Sequence, residues 1–181
     1  MAMVNPSLPD ISSLSQLSTL DRAAVLDLLF EPCVPLHTLS VSLLQEKTFT
    51  SYHDLIASVG LQLTGLSESP STSDTEWLDK ILGAHPRLGQ KKVESSQSRQ
   101  EQARLNTGGE EEAAQLAQLN ADYEQAFPGL RYVVFVNGRG RPEIMQNMRA
   151  RIARGDIMLE RAEAIKAMCD IAADRTRKLL S

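Results

Sequence analysis

At 181 residues, 42% of them apolar, the chain is long enough to bury one core without staples and too apolar for a disordered polymer. Its two cysteines, Cys33 and Cys169, are far apart and lack CxxC spacing. They exclude a disulfide framework and a cysteine zinc site, read as small buried apolar residues, and point to a reduced, intracellular setting. No apolar run approaches the roughly 20 residues that span a bilayer, and no basic stretch precedes an apolar one at the N-terminus, so neither a membrane span nor a secretory signal is expected.

Residues 1–18 mix Ser, Pro and Leu and read as an irregular lead-in to one domain over 19–181. Thr19 reads as the N-cap of a first helix that stops near Glu31, because Pro32 disfavours helical backbone in the residue before it. A second helix, about 36–46, repeats Leu36, Leu39, Leu43 and Leu44 at helical spacing. A third, about 52–64, is capped by Thr50 or Ser51. The Ser/Thr/Pro stretch 67–74 reads as a loop, and Asp74 as the cap of a fourth helix ending near Gly83-Ala84. Residues 86–96 lack periodicity. A fifth helix is expected from Ser98 to Leu105, broken by Asn106-Thr107-Gly108-Gly109, and a sixth opens on Glu110-Glu111-Glu112, where the helix dipole favours acid. Tyr132–Val136 is the single β-like run. No second strand follows it, so it reads as an extended buried connector. Pro142 suits the first turn of a seventh helix, and Asp156 the cap of an eighth, about 157–179, with a stripe of Met158, Ala162, Ile165, Cys169 and Ala172. The expectation is an all-α, single-domain bundle of about eight helices with one short extended connector.

Three groups stand out as candidates for chemistry. His85 sits just past a helix end, and Pro86 restricts its backbone. An imidazole titrates near ~6.5, which suits acid–base work, although a lone helix-ending histidine more often has no role. Ser98, Glu101 and Gln102 share one helical face with Leu105. Either that face meets a polar ligand, or Ser98 and Glu101 form a capping box. Arg151 lies seven residues after Ile144 and three after Met148, on the apolar stripe of its helix. It needs a buried carboxylate, an anionic ligand, or a solvated head at the stripe's edge.

Charge is uneven along the chain. Residues 131–181 carry 11 Lys+Arg and 6 Asp+Glu, a net of +5, against −9 for the preceding 130, within a total of −4. The basic third reads first as a solvated face. Nucleic-acid binding ranks low, since no aromatic platform accompanies the arginines. Asn137-Gly138-Arg139-Gly140-Arg141 lacks the spacing of a phosphate loop, and no metal-binding motif is present.

The ordered set His85-Pro86-Arg87-Leu88-Gly89, Ser98-x-x-Glu101-Gln102, Phe135-Val136-Asn137-Gly138-Arg139-Gly140-Arg141-Pro142-Glu143-Ile144-Met145 and Arg151-Ile152 resembles the 2-oxo-4-hydroxy-4-carboxy-5-ureidoimidazoline (OHCU) decarboxylase family of the urate pathway. The likeness runs from about residue 20 to the end. It departs at Ala103-Arg104-Leu105-Asn106, at Pro128–Val133 and at Arg154. The resemblance implies an all-α homodimer that needs no cofactor or metal and converts OHCU into (S)-allantoin. It places the catalytic histidine on His85, a catalytic carboxylate on Glu101, and substrate contacts on Pro86, Ser98, Gln102 and Arg151. It implies a small-molecule substrate, with neither nucleic acid nor membrane as partner, in the cytoplasm or peroxisome. The ending Leu179-Leu180-Ser181 carries no Ser-Lys-Leu signal. The competing expectation is a catalytically silent helical module of the same fold that binds an anion or a protein partner.

Overall fold

Side-chain caps set several of the helix starts in the computed structural model, which describes residues 7–90, 96–103 and 109–180. Ser18 Oγ accepts the Asp21 N–H at 3.1 Å and opens α1, Thr19–Leu29. The cap is thus Ser18 rather than Thr19, because the serine keeps extended backbone and the threonine is already helical. The helix also ends two residues before Glu31. Phe30 turns extended, and its ring is fully buried. Pro35 lies in the first turn of α2, Val34–Glu46, and Ser51 caps α3, Tyr52–Glu68.

The α3 helix runs past residue 64, so the expected 67–74 loop shrinks to a short link before α4, Thr72–Leu82. Ser71 precedes that helix. Asp74 is not its cap but sits in its first turn, where its carboxylate takes the Ser69 hydroxyl at 2.5 Å and braces the link. Three shorter or later elements complete the described chain before the last helix: α5, Ser96–Gln102; α6, Glu110–Ala126; and α7, Arg141–Arg154. Asp156 does cap α8, Ile157–Leu180, with Oδ1 accepting the Met158 and Leu159 N–H groups at 3.0 Å each. Leu105 and the break at 106–108 lie outside the described residues, as does 91–95 of the preceding loop.

The lead-in is more ordered than its composition suggests. Ile11–Gln16 forms a 3-10 helix capped by Asp10, and Tyr52 donates its hydroxyl to the Pro9 carbonyl at 2.8 Å. Among the described residues there is no strand. Residues 132–136 form a connector without regular secondary structure, with Tyr132 and Val133 buried. No single described helix is long and apolar enough to cross a membrane.

Helix α8 packs along α3 and touches α1 and α4, while α6 pairs with α7. The α3–α8 approach depends on Gly60, since a Cβ there would lie 3.0 Å from Cys169 Sγ. This crossing sets the rotation of α8. Ala164, Ile165, Met168, Ile171 and Ala172 face inward, whereas Met158 and Ala162 of the expected stripe face outward. The fully buried Glu160 ties α6, α7 and α8 together. It accepts the Tyr123 hydroxyl at 2.6 Å and pairs with Arg151 at 2.8 Å and Arg154 at 2.7 Å.

Candidate active site

Gly83 ends α4, and the chain turns through His85-Pro86 against α6. Four side chains pin this turn. Arg131 donates to the His85 carbonyl at 3.1 Å, and Asn120 to the Leu88 carbonyl at 3.0 Å. Gln102 accepts the Gly89 N–H at 2.9 Å, and Arg87 forks onto Glu124 at 2.5 and 2.8 Å. Gly89 has φ of 78°, and a Cβ there would meet Leu116 at 2.8 Å, so the turn needs glycine on both counts. The motif His85–Gly89 is therefore a rigid mount for one imidazole.

That imidazole lines a cavity of about 400 Å³. One wall is the His85-Pro86 turn, a second is Ser98, Glu101 and Gln102 of α5, and a third is the connector 132–139. Ile171, Asp174 and Lys178 of α8 close the remaining side. His85 is only 5% exposed, and its Nε2 has no hydrogen-bond partner in the protein. Burial, helped by the nearby Arg175 guanidinium, pushes its pKa down to about 3. At neutral pH the ring is uncharged.

This shift has a consequence for stability. Between pH 6.5 and about 3 the unfolded chain protonates this histidine and the folded protein does not, so stability falls as pH drops through that window. His85 alone should cost the wild type about 2 kcal/mol between pH 7 and pH 5. Urea unfolding at the two pH values checks this. His85→Asn should lack that component of the pH dependence.

The α5 wall is held from behind by Arg175, a residue the sequence patterns did not single out. Its side chain is 1% exposed. It grips Glu101 through two bonds, Nε to Oε1 at 2.8 Å and Nη2 to Oε2 at 3.0 Å. It also donates to Glu31 at 2.7 Å, to Ser98 Oγ at 3.0 Å and to the Phe30 carbonyl at 2.6 Å. Ser98 in turn gives its hydroxyl proton to Glu31 through a very short bond. The capping-box reading of Ser98 fails for this reason. The helix already starts at Ser96, and the serine hydroxyl lies between a carboxylate and a guanidinium. The signal for Arg175 was present: it follows Met168, Ile171 and Ala172 on the inward face of α8, as Arg151 follows Met148 on α7. For Glu31 no pattern in the sequence gave a signal beyond Pro32 beside it.

His85, Pro86, Ser98, Glu101 and Gln102 converge, but Arg151 stands apart. It does not line this cavity. Its guanidinium is neutralised by Glu160, donates to the Val133 carbonyl at 3.0 Å and stacks over Tyr132 at 4.7 Å. It buttresses the connector from the far side and faces a neighbouring depression that shares Phe135 and Asn137 with the cavity. Two arginines of the basic C-terminal third pair with acids of the preceding chain. Arg161 pairs with Asp79 at 2.9 Å, and Arg175 with Glu31 and Glu101. Both cysteine thiols are free and half-buried, and burial raises the pKa of each.

The chemistry on offer is thus an uncharged imidazole lining a cavity that also presents an anchored carboxylate and an amide. Among the described residues no three His, Cys, Asp or Glu side chains are grouped to hold a metal ion. None of the curated proteins matches the chain. The model of one protein family does match, over residues 15–177, and the chain belongs to that family, the OHCU decarboxylases.

Proposed function

We propose that this protein decarboxylates OHCU to (S)-allantoin without a cofactor. The observation that carries the reading is the uncharged His85, whose Nε2 has no protein partner, on the wall of a cavity that also presents the Arg175-anchored Glu101. The carboxylate of OHCU sits on a carbon that bears a hydroxyl and adjoins a C=N carbon. As CO₂ leaves, the bonding pair forms a C=C bond to that neighbour and moves onto the ring nitrogen, which takes up a proton. The substrate supplies its own electron sink, so no pyridoxal or thiamine is required. Loss of the hydroxyl proton, with protonation of the neighbouring carbon on one face, then gives one enantiomer.

In this reading His85 takes the hydroxyl proton and passes a proton back to carbon. Glu101 accepts from ring or ureido N–H groups and fixes the substrate's orientation. Gln102, Ser98 and Pro86 shape the pocket floor. Arg175 positions Glu101, while Arg151 supports the connector against which the ring would lie. The assembly proposed is a homodimer, for which light scattering should report about twice the chain mass of 19.9 kDa.

The test couples urate, urate oxidase and hydroxyisourate hydrolase with and without this protein, following CO₂ release and the circular dichroism of allantoin. Faster CO₂ release with one-handed product is expected. A rate equal to the spontaneous one, with racemic product, would leave the silent binding module as the better reading. Glu101→Gln keeps the side-chain shape and removes the charge. It should lower turnover on the order of 10²-fold through lost orientation, and unchanged turnover would remove Glu101 from the mechanism.

A further inference from the structure

The connector closes on the turn Val136-Asn137-Gly138-Arg139. Asn137 and Gly138 both have positive φ, 46° and 77°, and the Arg139 N–H donates to the Val136 carbonyl at 3.0 Å. Two left-handed residues in succession are what a tight Asn-Gly turn requires. The Arg139 side chain folds back over this turn. Its Nε donates to the Val136 carbonyl at 3.2 Å and its Nη2 to the Phe135 carbonyl at 2.5 Å. Two neutral acceptors thus fix the guanidinium on the connector without cancelling its charge.

Arg139 lines both the cavity and the neighbouring depression. The acids that line the two, among the described residues, are already matched. In the cavity Glu101 pairs with Arg175, and Asp174 with Lys178 at 2.5 Å and Arg177 at 2.9 Å. In the depression Glu163 pairs with Arg154 and Arg151, and Asp170 with Lys166. Arg139 has only Glu143, which is 62% exposed and 3.9 Å away, too far for a hydrogen bond. No hydrogen bond among the described residues uses its Nη1. Exposure also rises across the cavity, from 5% at His85 to 31% for the Arg139 side chain. A fixed, unmatched cation with an open N–H edge on a cavity wall is suited to receive a carboxylate.

We propose that Arg139 receives the carboxylate of the substrate, a role that rests on the decarboxylase reading. With the substrate hydroxyl facing His85, the carboxylate on the same carbon faces the connector, and CO₂ departs towards the more exposed side. The hold is loose, because Arg139 shares its donors with two carbonyls and stays partly in water. That suits a group that must leave. Negative charge drains from the carboxylate as CO₂ forms, so the contact weakens towards the transition state and its energy appears in KM rather than in kcat. The same contact selects acids, since a neutral ureide of similar size forgoes it.

Arg139→Gln should raise KM about fivefold and leave kcat within about twofold of wild type. A residue that only braces the connector would lower kcat as well. The second arm does not depend on turnover. Isothermal titration compares N-carbamoylglycine, which carries a ureido group and a carboxylate, with its neutral amide. Wild type should bind the acid about fivefold tighter than the amide. Arg139→Gln should bind the two alike, with its affinity for the amide unchanged. Unchanged KM, or a kcat loss of about tenfold, overturns the proposal. So does equal binding of acid and amide by wild type, a preference for the acid that survives in Arg139→Gln, or an equal loss for both probes. If the wild type releases no CO₂, the functional reading fails and the binding arm still decides the role of Arg139. If Arg139→Gln does not fold, Arg139→Lys, which keeps a cation and loses the planar fork, is titrated in its place. Weaker binding of the acid alone then supports the proposal, and no change, or equal weakening of both probes, overturns it.

Discussion

His85→Ala should yield a folded protein that no longer accelerates decarboxylation. The imidazole makes no side-chain hydrogen bond through Nε2, and the turn that carries it is held by Arg131, Asn120, Gln102 and Arg87 acting on other atoms. Its removal leaves that mount in place. The expected loss is at least the 10²–10⁴-fold typical of a positioned acid–base group, with far-UV circular dichroism and gel-filtration behaviour unchanged. Because burial and Arg175 hold the ring uncharged well below neutrality, the wild-type kcat should show no inflection from His85 between pH 5 and 8. Near-full activity in His85→Ala would remove the histidine from the reaction and, with it, the main support for the proposed mechanism.

The second large effect is expected at Arg175. Arg175→Met keeps an unbranched apolar stem and deletes the charge, which leaves Glu31 and Glu101 facing each other without their cation. Breaking a buried pair in this way costs about 3–5 kcal/mol, and here two carboxylates lose one partner. At about 2–4 °C per kcal/mol for a chain of this size, Tm should fall by roughly 10 °C. Activity should fall beyond what the unfolded fraction explains, since Glu101 loses both of its anchoring bonds. Arg151→Met provides the contrast. It leaves Glu160 with Arg154 and the Tyr123 hydroxyl as its remaining partners and lowers stability too, but the α5 wall keeps its supports. A greater loss of substrate affinity in Arg151→Met than in Arg175→Met would mean that Arg151 reaches the substrate after all.

These two arginines show how far pattern reading extends. Both sit at inward positions of amphipathic helices, and both are buried for that reason. The stripe of α7 faces inward as its spacing predicts, so Arg151 needs a partner, and that partner is Glu160. The expected stripe of α8 begins with Met158 and Ala162, which face outward, and ends at Ala172, three residues before Arg175. A 24-residue helix that packs on several neighbours has more than one apolar line, and its rotation follows from contacts such as Gly60 against Cys169. Helical spacing alone does not supply those contacts. The cap errors have a local cause. Ser, Thr and Asp all cap helices, and where two lie in succession, as at Ser18-Thr19 or between Ser71 and Asp74, the backbone decides between them.

By itself the sequence determined the helical class, the strandless connector, the fixed turn at His85 and the shared face of Ser98, Glu101 and Gln102. Each follows from interactions within a few residues: proline geometry, side-chain period and capping. The tertiary structure alone decided that Ser98 meets a carboxylate and a guanidinium rather than capping its own helix. It also decided that Glu31, 67 residues away from Ser98, belongs to the same buried cluster, and that the arginine behind Glu101 comes from α8. Pairings of this kind depend on how helices cross, and the energy that selects the crossing is spread over the whole core rather than recorded at any one position.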